Sequence, residues 1–181
     1  MVLAMTTWGL SWTNAKLLGL YADAPLLSFW RFAIASTCFF FIVNTKVSLK
    51  ITFSSLPLII LNSIFIVMYN YFYFKGTQIG LAGVGGVLVT TMNPILTTIF
   101  SSLILQEAVS KKGILGLFFG LVAGSLIIRA WELDINSFYN SGNLFFILAS
   151  LSWVAVTLIT SWTKEKIPFL SYSFWTFSVA A

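Results

Sequence analysis

The 181-residue chain is 59% hydrophobic and only 8% charged, with ten Lys or Arg against five Asp or Glu and a net charge of +5. Soluble domains carry about 25% charged residues, so this composition excludes a water-soluble domain and indicates an all-α integral membrane protein, a multi-span helix bundle. The 18 Phe and 7 Trp lie within long apolar runs, which argues against a nucleic-acid partner and indicates that the positive charges are topology signals. There is no His and one Cys, Cys38. The chain therefore predicts no His-based metal site, no internal disulfide and no cofactor.

Six apolar stretches are each about long enough to cross a bilayer as a helix, which takes about 20 residues. They lie at 2–20, 25–43, 55–74, 81–105, 113–129 and 143–162, and a seventh begins near Ile167 and runs to Ala181. The runs are continuous, without the alternation of barrel strands, so helices are predicted. The stretch after Ile167 is too short for a full span. We therefore expect a C-terminally truncated form of a protein of about 300 residues.

Lysines gather in alternate connections between these spans. The connections after the second, fourth and sixth spans hold two each, namely Lys46, Lys50, Lys111, Lys112, Lys164 and Lys166. The opposite connections carry acids such as Asp23 and Glu132. By the positive-inside rule, the lysine-rich side is cytoplasmic, which predicts a multi-pass protein with a cytoplasmic N-terminus.

One segment of the chain occurs twice. SFWRFAIA at Ser28–Ala35 recurs as SFWTFSVA at Ser173–Ala180, with five of eight residues identical at an offset of 145, and Trp8 and Trp153 keep that offset. The copies open the second and seventh spans, so the second copy is inverted in the membrane. Inverted repeats are typical of alternating-access transporters. Chance similarity between two aromatic-rich apolar segments is the alternative.

Three longer stretches carry a family resemblance. They are WGLSWTNAKLL from Trp8, followed by RFAIA from Arg31; TTMNPILTTIFSSLILQEAVSKKGILGLFFGLVAGSLII from Thr90; and GNLFFILASLSWVAVTLIT from Gly142. In order and spacing, the chain resembles EamA-type transporters of the drug/metabolite transporter superfamily. The resemblance implies ten helices in two inverted five-helix repeats, in a cell inner (plasma) membrane, that move amino-acid-like or nucleotide-derived metabolites or drugs.

The resemblance also implies a division of the chain. Residues 1–130 would form the first EamA repeat, 131–141 an extracytoplasmic connection, and 142–181 the start of an incomplete second repeat. The partners expected are the lipid bilayer and a small-molecule solute. A transport-inactive membrane fragment is the alternative function. A membrane enzyme is not predicted, because the chain has no catalytic cluster of acids or His.

Two cations and two tryptophans are candidates for the solute pathway. Lys16 and Arg31 lie at matching depths in the first two spans and could attract an anionic solute. Alternatively, their long side chains reach the interface, or Lys16 pairs with Asp23. Trp8 and Trp153 lie near the middle of their spans. They could line a path from both repeats or simply pack.

The fourth span supplies further candidates. Pro94 lacks an N–H, so it should kink this helix and free the carbonyl of Thr90. Thr90, Pro94 and Thr97 share one helix face and could line a cavity, or the hydroxyls could bond to their own helix. Asn70 and Asn93 could bind solute or tie helices together.

A row of glycines occupies the fifth span. Gly116, Gly120 and Gly124 form a double GxxxG pattern, which predicts close helix packing within the chain or at the contact of a homodimer. The acids, in contrast, lie in or beside the predicted loops. A proton relay through the membrane normally needs a buried carboxylate, so this pattern favours solute exchange or facilitated movement.

Overall fold

The structure, a computed structural model, describes residues 2–46, 49, 51–104, 106, 108–127, 129–132, 134, 138, 141–164 and 166–181. Seven α-helices account for most of these residues, and none of them lies in a strand. The helices are α1 Val2–Leu18, α2 Ala24–Lys46, α3 Leu56–Ile79, α4 Ala82–Ile104, α5 Lys111–Ile127, α6 Asn143–Thr163 and α7 Phe169–Ala180. Short 3-10 turns precede α3 and follow α5, at Phe53–Ser55 and Ala130–Glu132.

Helices form at all seven predicted positions, which confirms the all-α fold class. Among the described residues, four segments are long and apolar enough to cross a membrane: Ala24–Ile42, Phe53–Ile79, Ala82–Ile104 and Asn143–Thr163. The helices α1 and α5 have 17 residues each. That length is at the lower limit for a span, so their crossing stays a prediction.

The largest boundary error concerns α3. The third span was predicted to end at residue 74, just before Lys75, but the helix continues to Ile79. Lysine is a good helix former, and a single charge does not end a helix. The chain leaves the helix at Gly80, whose backbone is extended and whose N–H still donates to the carbonyl of Gly76 at 2.7 Å.

The helix α6 lies against α3 and α4 and contributes a fully buried aromatic side chain to the core. Phe146 has no exposed surface and lies between Gly76 of α3 and Gly85 of α4. A Cβ on Gly76 would lie 2.6 Å from Phe146 Cε1, and one on Gly85 would overlap the same ring. The two glycines therefore create the space that the ring fills.

Contacting residues give the relative directions of the helices. The pairs are Trp12–Tyr73 and Lys16–Gln78 for α1 with α3, Tyr69–Trp153 and Gly76–Phe146 for α3 with α6, and Phe32–Phe177 and Phe40–Phe174 for α2 with α7. Residue numbers rise together in the first case, so α1 and α3 are parallel. They run in opposite directions in the other two, so α6 opposes α3 and α7 opposes α2. These directions are those of a chain that crosses back and forth.

The helix α5 lies at the edge of the bundle, against α4. A Cβ on Gly124 would lie 2.6 Å from Thr91 Oγ1, so this glycine is at a close helix contact. Within the described part of the chain, a Cβ on Gly116 or Gly120 would meet nothing within 4 Å. A packing role for those two glycines stays a prediction.

Candidate solute pathway

Five aromatic side chains meet where α1, α3 and α6 come together, and we call them the central aromatic cluster: Trp12, Tyr69, Tyr73, Phe146 and Trp153. The ring centroids lie 4.6 Å apart for Trp12 and Tyr73, and 4.9 Å apart for Tyr69 and Trp153. Tyr69 and Tyr73 stack on each other at 6.1 Å because residues four apart share a helix face. The Tyr73 hydroxyl donates to the carbonyl of Ser11 at 2.8 Å, which fixes α3 to α1.

A groove of about 470 Å³ lies on one side of this cluster, and we call it the α1–α2 groove. Its polar lining residues are Ser11, Asn14, Arg31 and Tyr73. The guanidinium of Arg31 lies over the rings of Tyr73 and Phe74, with its Cζ 5.4 Å and 5.9 Å from their centroids. The cation is therefore held by the negative faces of two aromatic rings while its side chain stays exposed.

A cavity of about 290 Å³ lies between α3, α6 and α7, and we call it the α6–α7 cavity. Aromatic rings of Trp153, Phe169 and Phe177 form part of its wall. Its polar lining residues all carry neutral side chains, namely Asn62, Thr157, Thr160, Tyr172, Ser173 and Thr176. No charged residue lines it in the described part of the chain.

Three polar atoms of this cavity stand out because they are buried and unpaired. They are Asn62 Oδ1, Tyr172 OH and Thr176 Oγ1, none of which has a hydrogen-bond partner among the described residues. The three side chains are 2%, 4% and 2% exposed, respectively. Ser63 Oγ donates to the carbonyl of Thr176 at 3.0 Å, which ties α3 to α7 beside these atoms. Buried polar groups normally have partners, so this arrangement needs an explanation.

The groove and the cavity are related by the 145-residue offset. Four lining residues of the groove have a counterpart in the cavity lining at that offset: Ser11 and Val156, Ala15 and Thr160, Leu27 and Tyr172, and Arg31 and Thr176. The helix directions place the two sites at opposite ends of the bundle. The central aromatic cluster lies between them, since Tyr73 lines the groove and Trp153 lines the cavity.

Lys16 lies near the groove and forms hydrogen bonds with the C-terminal end of α3. Its Nζ donates to the carbonyls of Gln78 and Gly80, both at 2.9 Å. Gln78 Nε2 in turn donates to the carbonyl of Ala22 at 2.9 Å, in the connection between α1 and α2. The last carbonyls of a helix attract cations. The ammonium therefore binds these carbonyls, rather than the Asp23 carboxylate proposed from the sequence.

The comparison with known proteins identifies the family. Residues 1–129 match the EamA-like transporter family. The chain belongs to that family. A curated relative named as an uncharacterised transporter, YyaM of Bacillus subtilis, is 26% identical over 129 residues, which are 68% of this chain and 42% of the relative. The match thus spans less than half the length of that relative, and no solved structure matches the chain.

EamA membership agrees with the resemblance carried by the sequence motifs. Within the EamA bundle, Trp153 lines the α6–α7 cavity, whereas Trp8 lines a separate groove between α1 and α4. That second groove also includes Thr90, whose hydroxyl donates to the carbonyls of Gly86 at 2.7 Å and Val87 at 3.1 Å. The two tryptophans do not meet.

The other candidates on α4 of the EamA bundle are dispersed. Pro94 is exposed within a helix that continues on both sides of it, and the predicted kink stays a prediction. Thr97 lines a pocket of about 340 Å³ at the end of α4, with Ser110 and Gly113. Thr90 and Thr97 therefore face different spaces, although they were predicted to share one cavity.

Asn70 and Asn93 are both buried in the EamA bundle, but neither lines the groove or the cavity. Asn70 Nδ2 donates to the carbonyl of Ile66 at 2.8 Å. The Oδ1 atoms of Asn70 and Asn93 have no partner within the described part of the chain. Their predicted contact with solute is untested.

Sequence reasoning missed the three unpaired residues of the cavity. Thr176 carried a signal, because it is the counterpart of Arg31 at the 145-residue offset, and Tyr172 is the counterpart of Leu27. Asn62 could have been identified in the same way as Asn70, because both are amides within an apolar span. Applying the repeat to every candidate would have identified Thr176.

Proposed function

We propose that this chain contributes the solute pathway of a permease that moves small polar metabolites, amino-acid-like or nucleotide-derived, by alternating access between inverted repeats. The observation that carries the proposal is the correspondence between the α1–α2 groove and the α6–α7 cavity. Four residue pairs relate them at the offset of the sequence repeat. A transporter built from inverted repeats is expected to have such paired sites at opposite ends.

The central aromatic cluster supports a barrier between these two sites. Tyr73 closes the groove at its inner end, and Trp153 borders the cavity. The rings contact one another between the two sites, so we expect a solute in one site to reach the other only when the helices move. Rocking of one repeat against the other would open one site as the other closes.

In this proposal, the contact between α2 and α7 lies at the axis of the motion. Phe32 and Phe177 are counterparts at the 145-residue offset, and their rings stack on each other with centroids 5.8 Å apart. Ser36 and Ser178 share a hydrogen bond of 2.6 Å in the same antiparallel contact. Equivalent residues meet each other only near a two-fold axis, and for opposed helices that axis lies in the membrane plane.

The proposed orientation follows the lysine pattern. We place the protein in the inner membrane of the cell, with its N-terminus in the cytoplasm. Helix α1 then ends on the outer side of the membrane. The α1–α2 groove then faces outward and the α6–α7 cavity faces the cytoplasm.

Counterflow in liposomes tests the proposal. Vesicles containing the protein are loaded with unlabelled amino acids and nucleosides, and the entry of each labelled solute is followed. A carrier accumulates its labelled solute transiently against the unlabelled pool, whereas an inactive protein and empty vesicles do not. The variant Thr160→Phe places a ring in the cavity and should abolish counterflow. Thr37→Phe adds the same ring to an exposed position of α2 and should not.

Two results would contradict the proposal. One is a complete lack of counterflow for every solute, as expected of a transport-inactive membrane protein. The other is counterflow that Thr160→Phe and Thr37→Phe reduce equally, because the α6–α7 cavity would then lie outside the pathway.

A further inference from the structure

The unpaired polar atoms of the α6–α7 cavity lack the partners that buried groups normally have. Asn62 Oδ1 accepts hydrogen bonds, and the hydroxyls of Tyr172 and Thr176 can donate or accept. The three residues belong to two helices that Ser63 ties together, and all three line the α6–α7 cavity. An arrangement of this kind is costly when empty and becomes favourable when a polar ligand pairs with it.

The charge of the cavity restricts that ligand. All its described polar lining residues are neutral, so an ammonium or carboxylate entering it would lose its water without gaining an opposite charge. Thr176 occupies the position that Arg31 holds in the α1–α2 groove. The repeat therefore carries a cation at one end and a neutral hydroxyl at the other, and the cavity suits an uncharged molecule.

The shape of the cavity restricts the ligand further. Trp153, Phe169 and Phe177 provide aromatic walls, on which a flat ring can stack. The amide and the hydroxyls offer both acceptors and donors, as the edge of a heterocycle requires. A volume of about 290 Å³ accommodates a molecule with one or two rings.

We propose that the α6–α7 cavity binds an uncharged planar heterocycle of nucleobase or nucleoside size, with hydrogen-bond donors and acceptors on its edge. Asn62 Oδ1 accepts from a ring N–H, and the hydroxyls of Tyr172 and Thr176 bond to ring carbonyls or nitrogens. This inference rests on the proposed function, since it names the solute class of the cavity at the cytoplasmic end of the pathway.

Equilibrium binding of radiolabelled probes to the purified protein tests it. Adenine and uridine are the neutral probes, and glutamate and lysine are the charged ones. Tyr172→Phe and Thr176→Val each remove one hydroxyl with little change of shape. Each should weaken binding of a neutral probe about fivefold to tenfold, as the loss of one hydrogen bond does. Their thermal midpoints should not fall, because each change removes a buried unpaired group.

Matched controls remove the same hydroxyls elsewhere. Tyr71→Phe and Thr37→Val change exposed residues that do not line the cavity, and they should leave probe binding unchanged. Equal binding in all four variants would overturn the inference, since the probe would then bind at another place. So would an absence of adenine and uridine binding up to about 10 mM, the range expected for ligands of this size.

Charged probes separate this inference from the proposed function. Glutamate or lysine bound as tightly as adenine, and with the same dependence on Tyr172 and Thr176, would refute the neutral ligand. A second outcome is counterflow of charged solutes that Thr160→Phe abolishes, together with no binding of a neutral probe. That outcome would refute only this inference and would leave the proposed function standing. Neutral-probe binding without any counterflow would instead refute transport.

Discussion

At Gly85, the absence of a side chain lets the ring of Phe146 enter the space between two helices. Phe146 joins the core of α6 to both α3 and α4, and within the central aromatic cluster its ring centroid lies 5.9 Å from that of Trp12. Small residues at helix contacts allow close approach in membranes, where there is little hydrophobic force between helices. Packing around this one ring therefore holds three helices in register.

We predict that Gly85→Ala lowers the thermal midpoint of the detergent-solubilised protein, because the new methyl overlaps the Phe146 ring. Overpacking of this kind costs about 1–3 kcal/mol, more than the helix propensity that Ala gains over Gly. Gly83→Ala is the matched control. It lies two residues earlier in α4, where a Cβ meets nothing within 4 Å in the described part of the chain. Its midpoint should stay the same or rise, and equal midpoints for the two variants would contradict the packing argument.

Single residues were also where sequence reasoning was weakest. Arg31 was recognised as a cation that needs partners, but its partners are ring faces on α3, more than 40 positions away. Lys16 was expected to reach the interface or Asp23, and it binds the end of α3. Both partners depend on how α3 is aligned with α1 and α2. One sequence alone does not show how these helices align, because all faces of such helices are hydrophobic and no polar stripe marks the contact face.

Among whole elements, α3 contacts the largest number of other helices, and its end is fastened by Lys16. The ammonium bridges the carbonyls of Gln78 and Gly80, and the Gln78 side chain holds the connection after α1. These hydrogen bonds therefore hold the end of α3 against α1 and against the connection that follows α1.

We predict that Lys16→Met increases amide hydrogen exchange in residues 19–23 and 78–82, because two charge-assisted hydrogen bonds to the α3 end are lost. Each such bond contributes about 1.5–3 kcal/mol. Lys75→Met is the control, since Lys75 is also half-buried on α3 but forms no hydrogen bond within the described part of the chain. Faster exchange in both variants, or in neither, would show that Lys16 does not hold this end.

The helices themselves were largely predictable, for a physical reason. A span needs about 20 apolar residues whatever its neighbours are, so hydropathy and length determine where helices form. Helix α3 was misjudged at its end, which was placed just before Lys75, although backbone hydrogen bonds continue to Gly80. The contacts between helices were not predicted. The α6–α7 cavity was not predicted either, because it depends on those contacts.

For the whole molecule, the directions of the helices and the lysine pattern must agree. The contacts show α3 opposed to α6 and α2 opposed to α7, as expected when both the third and seventh spans leave the lysine-rich side. Lys111 begins α5 on that side, whereas Tyr21 lies in the connection between α1 and α2 at the other end. Both side chains are exposed, Tyr21 at 86%.

We therefore predict opposite labelling of these two positions by a membrane-impermeant thiol reagent. The variants Lys111→Cys and Tyr21→Cys are made in a Cys38→Ser background, because Cys38 is an exposed free thiol. Lys111→Cys should react only in inside-out vesicles and Tyr21→Cys only in right-side-out vesicles, since the lysine-rich side stays in the cytoplasm. Reversed labelling would invert the orientation and exchange the outward groove with the inward cavity. Labelling of both positions from one side would instead contradict the alternation of the spans on which the pathway depends.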